Sequence, residues 1–288
     1  MSGTLKTALL TLIAMIAFAA NPLLCRMALG EGHIDAASFA TVRVSSGALI
    51  LLILVLPRWR RQGRSPADWR SVLMLFAYVA FFSFAYLSLS AGAGALLLFG
   101  DVQLTMFTTA LHAGERFPLW SWLGLCLAVA GIVYLVSPGV TAPDPLGALL
   151  MVVAGVAWGV YSLLGRQARN PLEATANNFL FCVPLVLVVS LVFANDFHVS
   201  TRGLVLAAVS GALPSGLGYV IWYAALRGLK ATSAATVQLS VPAIAAIGGV
   251  ALLAEPVTLR LVLASATTLG GIAIVLAQRG HSDPEAEQ

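Results

Sequence analysis

Ala17-Phe18-Ala19-Ala20-Asn21-Pro22-Leu23-Leu24-Cys25-Arg26 and Ala157-Trp158-Gly159-Val160-Tyr161-Ser162-Leu163-Leu164-Gly165-Arg166 are the two stretches that decide the fold. A shift of 140 lays one on the other, and the same shift carries Glu115 to Glu255 and Gly131-Ile132 to Gly271-Ile272. Two helices that were merely rich in Ala, Leu and Gly would not hold arginine, glutamate and glycine in register at one offset. Val102-Gln103-Leu104-Thr105 also resembles Val237-Gln238-Leu239-Ser240, but at an offset of 135, which reads as a first half five residues shorter between its glutamine and its glutamate.

Outward from these stretches the chain is apolar almost throughout. Of its 288 residues 59% are hydrophobic and only 10% charged. An ordinary soluble domain is about 25% charged, so a soluble fold would have too few polar residues to cover its surface. A spanning helix needs about 20 mostly apolar residues. Segments of that kind lie at 5–27, 35–56, 71–89, 92–112, 117–136, 146–166, 172–193, 203–226, 231–253 and 257–278. Runs such as Ala48-Leu49-Ile50-Leu51-Leu52-Ile53-Leu54-Val55-Leu56 lack the alternation of a transmembrane barrel. The expectation is an all-α polytopic membrane protein of ten transmembrane helices. Lys6, the apolar run after it and Ala17-Phe18-Ala19 imitate a cleavable leader, but the repeat argues that the first helix is kept.

Five helices per repeat is an odd number, so the second repeat enters the bilayer the other way up. The expected organisation is a first repeat at 1–140, a second at 141–279 and a cytoplasmic tail at 280–288. Positive charge orients the whole. With the N-terminus inside, inner ends carry Lys6, Arg58, Arg60, Arg61, Arg64, Arg70, Arg116, Arg166, Arg169, Arg227, Lys230 and Arg279, and outer ends carry Arg26, Arg202 and Arg260. This gives an N-in, C-in protein of the bacterial inner membrane. Charges gathered almost entirely at helix ends and in the connections also exclude a nucleic-acid partner; the expected partners are lipid and a small-molecule substrate. Cys25, Cys126 and Cys182 sit in apolar runs without a C-x-x-C, and no histidine lies inside a helix. Neither a disulfide framework nor a metal site is expected, and no cofactor.

In each half a glutamate at a helix–helix corner (Glu115, Glu255) is followed nine and sixteen positions later by small residues, Gly124 and Gly131 or Ala264 and Gly271. This set resembles the drug/metabolite transporter superfamily, and within it the EamA-type ten-helix exporters. The resemblance covers about 5–278. Leu96-Leu97-Leu98-Phe99-Gly100-Asp101-Val102-Gln103-Leu104-Thr105-Met106-Phe107 is similar to the aromatic amino acid exporters of that superfamily. The first half departs from the second in lacking a proline that matches Pro242. The resemblance implies a cavity surrounded by helices 1–4 and 6–9, with helices 5 and 10 at the periphery, and makes the two glutamates structural corners.

Polar groups at membrane depth are functional candidates by default. Arg43 and Asp101 fall at similar depth, about 12 and 14 Å into helices 2 and 4 at 1.5 Å per residue. Either they pair, or they clamp the two ends of a zwitterion, guanidinium on carboxylate and carboxylate on amine. Asp101 is also the candidate proton carrier. Tyr78, Phe82 and Tyr86 share one face of helix 3, and Trp158 and Tyr161 sit on helix 6. Together with Tyr219 they suit a flat, partly apolar solute, or a cation. Tyr86, Trp222, Tyr223 and Trp120 read as an interfacial belt. Asn21-Pro22 breaks the hydrogen-bond ladder of helix 1, and Pro184, Pro214 and Pro242 do so in helices 7, 8 and 9. Gln103 and Gln238, taken as repeat-related, are either ligands or interhelical glue. Asn177 and Asn178 are expected to be solvated or capping.

Three functions compete. Inverted repeats favour a secondary transporter working by alternating access; the leading expectation is an exporter of small metabolites, aromatic or neutral amino acids first among them. No Walker motif is present to supply ATP directly. An efflux pump for cationic or aromatic drugs is the alternative on the same fold. An intramembrane enzyme would rest on Ser215 in Leu213-Pro214-Ser215-Gly216, which has no histidine within a helix to serve as its base.

Overall fold

A computed structural model describes residues 3–115, 117–166, 168–229 and 231–281, with backbone alone at 3, 231, 232 and 279–281. Arg116, Lys230 and the tail from 282 onward lie outside the described residues, as does the side chain of Arg279. In chain order the helices are α1 (Gly3–Leu29), α2 (Ala36–Gln62), α3 (Trp69–Ala85), α4 (Ala91–His112), α5 (Leu119–Val136), α6 (Pro145–Arg166), α7 (Pro171–Val192), α8 (Thr201–Leu226), α9 (Ala231–Gln238 and Ser240–Leu253) and α10 (Leu259–His281). Among the described residues nine are long and apolar enough to cross a membrane, and α3 is a shorter apolar tenth.

Exchanging α1–α5 for α6–α10 reproduces the packing. The pairs α2–α7, α4–α9 and α5–α10 map onto themselves, α3–α6 maps onto α8–α1, and α4–α6 onto α9–α1. The inverted repeat therefore acts as a pseudo-two-fold axis in the tertiary structure. Small residues make this possible without a hydrophobic driving force between helices. Gly124 of α5 and Gly271 of α10 face each other so closely that a Cβ on either would strike the other's backbone oxygen. Gly131 lies against Ala264 and Thr268 in the same way. These are the small positions that follow the two corner glutamates.

Prolines have unequal effects. Pro22 and Pro184 sit within continuous helices. Pro242 cannot accommodate the carbonyl of Gln238, four residues back, and α9 breaks there, between Gln238 and Ser240. Pro214 lies in a π-helical turn over Gly211–Leu217 inside α8. A proline at 214 cannot give the Ser210 carbonyl its α-helical N–H; the π-turn shifts the ladder by one residue, and the Ser215 hydroxyl also donates to that oxygen, at 2.9 Å.

Several expectations are corrected. The helices α4 and α9 start at Ala91 and Ala231 and meet their corners at Glu115 and Glu255, so the shift of 140 holds through both and no five-residue deletion exists. Gln103 and Gln238 are thus not repeat mates: Gln238 matches Leu98, and Gln103 matches Ala243. Tyr86 and Trp222 are buried rather than part of a surface belt, and Tyr223 is partly buried, whereas Trp120 is exposed as expected. Asn177 and Asn178 are buried too. Asn177 accepts from Arg64 Nε at 2.6 Å and donates to Ser65, tying the α2–α3 linker to α7.

Candidate substrate-binding cavity

A cavity of about 390 Å³ lies between α1, α3, α4, α6, α8 and α9. Its walls are rich in aromatic rings. From α3 come Tyr78 and Phe82, from α6 Trp158 and Tyr161, and from α8 Tyr219, Trp222 and Tyr223; Phe18 of α1 and Phe99 of α4 complete them. The rings brace one another: Tyr78 lies 4.7 Å from Trp158, Trp158 is stacked on Tyr161 at 5.3 Å, and Tyr219 is 5.5 Å from Trp158. Polar groups are few and separated. Asn21 enters from α1, Gln103 from α4, Ser162 from α6 and Gln238 from α9. An apolar enclosure with a few placed polar groups is the usual form of a small-molecule site.

Arg43 and Asp101 do not belong to this lining. Arg43 is buried one layer behind it. Its guanidinium lies 4.7 Å from the Phe82 ring centre and 5.4 Å from that of Tyr78, so the two cavity-lining rings cover it. Nη2 donates to Tyr78 Oη at 2.9 Å, Nε donates to Ser215 Oγ at 3.3 Å, and Nη1 has no partner. Asp101 is turned toward Gly155 of α6, where the absent side chain leaves it room, and its Oδ2 has no partner. No ion pair joins the two residues, which rules out the neutralised pair considered from the sequence. The reason is lateral: similar depth did not place α2 beside α4, because α3, α7 and α8 pack on α2 while α6 and α9 pack on α4.

Behind the wall runs a polar chain. Ser210 Oγ donates to Asn21 Oδ1 at 2.9 Å, and Ser215 lies 3.5 Å from the same oxygen while accepting from Arg43. Ser215 is thus a bridging hydroxyl with no histidine beside it, and its geometry is not that of a nucleophile. A smaller space of about 240 Å³ opens beside the cavity at the basic end, sharing Tyr161, Gly165 and Pro171 and lined also by Asn177 and Asn178.

The cavity lining reaches Arg166, Pro171 and Leu226 at the basic ends of α6, α7 and α8. At the opposite end it stops below a cluster of side chains. There Arg26 Nη1 donates to the carbonyls of Tyr86 and Leu87 at 3.2 and 3.1 Å, and its Nε lies 3.6 Å from Glu255. Glu255 in turn accepts from the first N–H of α4, that of Ala91, at 3.0 Å, where a helix N-terminus favours negative charge. Glu115 sits at the matching corner of the basic end and is exposed.

The sequence-based candidates Asn21, Tyr78, Phe82, Gln103, Trp158, Tyr161, Tyr219 and Gln238 all line the cavity. Phe18, Trp222 and Arg166 were not among them. The repeat itself carried the signal for two: Phe18 is the mate of Trp158, and Trp222 the mate of Phe82.

The EamA-like transporter family matches this chain twice, over residues 5–137 and 145–277. The chain belongs to that family. Each match covers five of the helices, and the shift of 140 carries 5 to 145 and 137 to 277. An uncharacterized protein of Pseudomonas aeruginosa is 49% identical over 276 residues, covering 95% of this chain and 96% of the relative. An uncharacterized transporter of Archaeoglobus fulgidus is 26% identical over 95% of this chain and 98% of its own length. The threonine/homoserine exporter RhtA of Salmonella typhimurium is 27% identical over 78% of this chain and 76% of its own. A solved crystal structure shares the fold, with a TM-score of 0.64 at 21% identity, covering 91% of this chain and 97% of its own. This EamA-family protein is accordingly a transporter of the bacterial inner membrane and not an enzyme; its setting is lipid and its substrate a small molecule.

Proposed function

We propose that this EamA-family transporter exports neutral amino acids, aromatic ones included, by alternating access. The observation that carries the reading is the aromatic cavity backed by Arg43. A volume of about 390 Å³ falls within the range of small-ligand sites. The buried guanidinium has no counter-ion, and it communicates with the cavity through Tyr78. A cation behind one wall favours a carboxylate at that wall, and the aromatic faces suit the rest of the solute. The same cation opposes a substrate that is purely cationic. The likeness to the threonine/homoserine exporter RhtA supports an amino acid substrate. With basic ends cytoplasmic, the cavity reaches the cytoplasm, the side from which an exporter loads.

Uptake of radiolabelled amino acids into proteoliposomes tests this, with aromatic, aliphatic, hydroxylated, basic and acidic members and a cationic drug set run in parallel. Saturable uptake of neutral amino acids is expected. Arg43→Leu should fold, since it removes a buried charge that has no counter-ion and is costly to bury, yet lower that uptake at least tenfold. Uptake of cationic drugs without any amino acid would overturn the reading, and equal uptake by Arg43→Leu would remove the guanidinium from it.

A further inference from the structure

The arginine cluster that closes one end of the cavity has a complete counterpart at the other end. The cluster consists of a guanidinium on Arg26, two carbonyls at the end of α3 (Tyr86 and Leu87), the first N–H of α4 (Ala91) and a corner carboxylate (Glu255). It ties α1, α3 and α4 of the first repeat to the α9–α10 corner of the second. The shift of 140 sends Arg26 to Arg166, Tyr86 and Leu87 to Leu226 and Arg227, Ala91 to Ala231, and brings Glu255 back to Glu115. Guanidinium, carbonyl pair, helix-start N–H and carboxylate are thus all present at the basic end.

There the guanidinium is not docked on the carbonyl pair. Arg166 is exposed and makes no hydrogen bond or ion pair with the described residues. It lines the cavity together with Leu226 of α8, the residue whose carbonyl it would need. The neighbouring positions differ likewise. Cys25, beside Arg26, is fully buried, whereas its mate Gly165 lines the cavity and faces open space. The charge bias that orients the protein accounts for Arg166, but it does not account for Arg26, which stands at the end poor in positive charge.

We propose that these are two forms of one latch, and that Arg166 docks on the carbonyls of Leu226 and Arg227 beside Glu115 when the cavity opens to the opposite side. The proposal rests on the alternating-access reading above. Each state then holds one latch made and one open, so the two states exchange equivalent bonds. Equivalent bonds keep the two states close in energy, which is what a cycling protein requires.

The test is side-specific labelling of a cavity cysteine, Ser162→Cys, in the full chain carrying Cys25→Ala, Cys126→Ala and Cys182→Ala. A membrane-impermeant maleimide is applied to right-side-out and to inverted vesicles. The starting protein should label from the basic side. Arg26→Ala should raise labelling from the opposite side at least threefold, and Arg26→Lys, which keeps the charge but loses the fork, should shift it the same way by less. Adding Arg166→Ala or Glu115→Gln to Arg26→Ala should return labelling toward the starting value. Labelling that rises with Arg26→Ala and ignores Arg166→Ala would overturn the paired latch while leaving alternating access standing. No labelling from the opposite side in any variant would overturn both.

Discussion

The helices α3 and α8 hold equivalent places in the two repeats and are built differently. The first, Trp69–Ala85, is regular; the second, Thr201–Leu226, starts further out and carries the π-helical turn at Gly211–Leu217. Where α8 has Gly211, Pro214 and Ser215, α3 has Ser71, Met74 and Leu75. The polar chain of Arg43, Ser215, Ser210 and Asn21 has as its mates Val183, Leu75, Arg70 and Tyr161. Repetition supplies the scaffold, and the polar site sits where the repeats have diverged. π-turns inside α-helices are frequent at such sites, because they turn a side chain and free a carbonyl that a regular helix would use.

The sharpest way to break the comparison is to add a side chain at the matching positions. A Cβ on Gly211 would meet the backbone oxygen of Arg43 and the hydroxyl of Ser46, both on α2. Gly211→Leu should therefore separate α8 from α2 and abolish the monodisperse peak in detergent size-exclusion chromatography. A folded Gly211→Leu protein would show that the close approach is dispensable.

An intermediate effect is expected at the turn itself. Ser215→Ala removes a side-chain donor to the Ser210 carbonyl and leaves Arg43 Nε without its partner. Leaving such a buried group unsatisfied costs about 1–3 kcal/mol, measurable as a lower Tm in detergent. The double change Pro214→Ala with Ser215→Ala restores the α-helical N–H at 214 to that carbonyl and should recover about 1 kcal/mol. If the double variant is no more stable than Ser215→Ala, the proline does not cause the π-turn.

The smallest effect belongs to the mate of Gly211. The buried Ser71 hydroxyl donates to Asp68, an exposed carboxylate that water can satisfy when the bond is lost. Ser71→Ala should cost less than about 1 kcal/mol in the same thermal melts. A loss as large as that of Ser215→Ala would mean that α3 and α8 are equally strained after all.

Much of the molecule was legible in the chain. Spanning helices depend on local hydropathy over about 20 residues, so the ten segments could be read in place, and the 140-residue shift located both copies of the family. Aromatic residues one turn apart on α3 and α6 announced two cavity walls. Mispairing Gln103 with Gln238 came from a four-residue likeness, which the helix starts and corner glutamates overrule. Asn177 and Asn178 look solvated because their position near a helix end does not show that the α2–α3 linker folds over them.

The sequence by itself determined the number of helices, the inverted repeat and eight of the side chains that line the cavity, since each follows from local periodicity or from comparison of the chain with itself. Only the tertiary structure decided that Arg43 and Asp101 stay apart, that α8 carries its turn against α2, and that Arg26 is docked while Arg166 is not. These outcomes depend on which helices are neighbours and which end of the bundle is closed. Neighbourhood across a bundle is set by the sum of many small side-chain contacts, and depth along a helix does not reveal it.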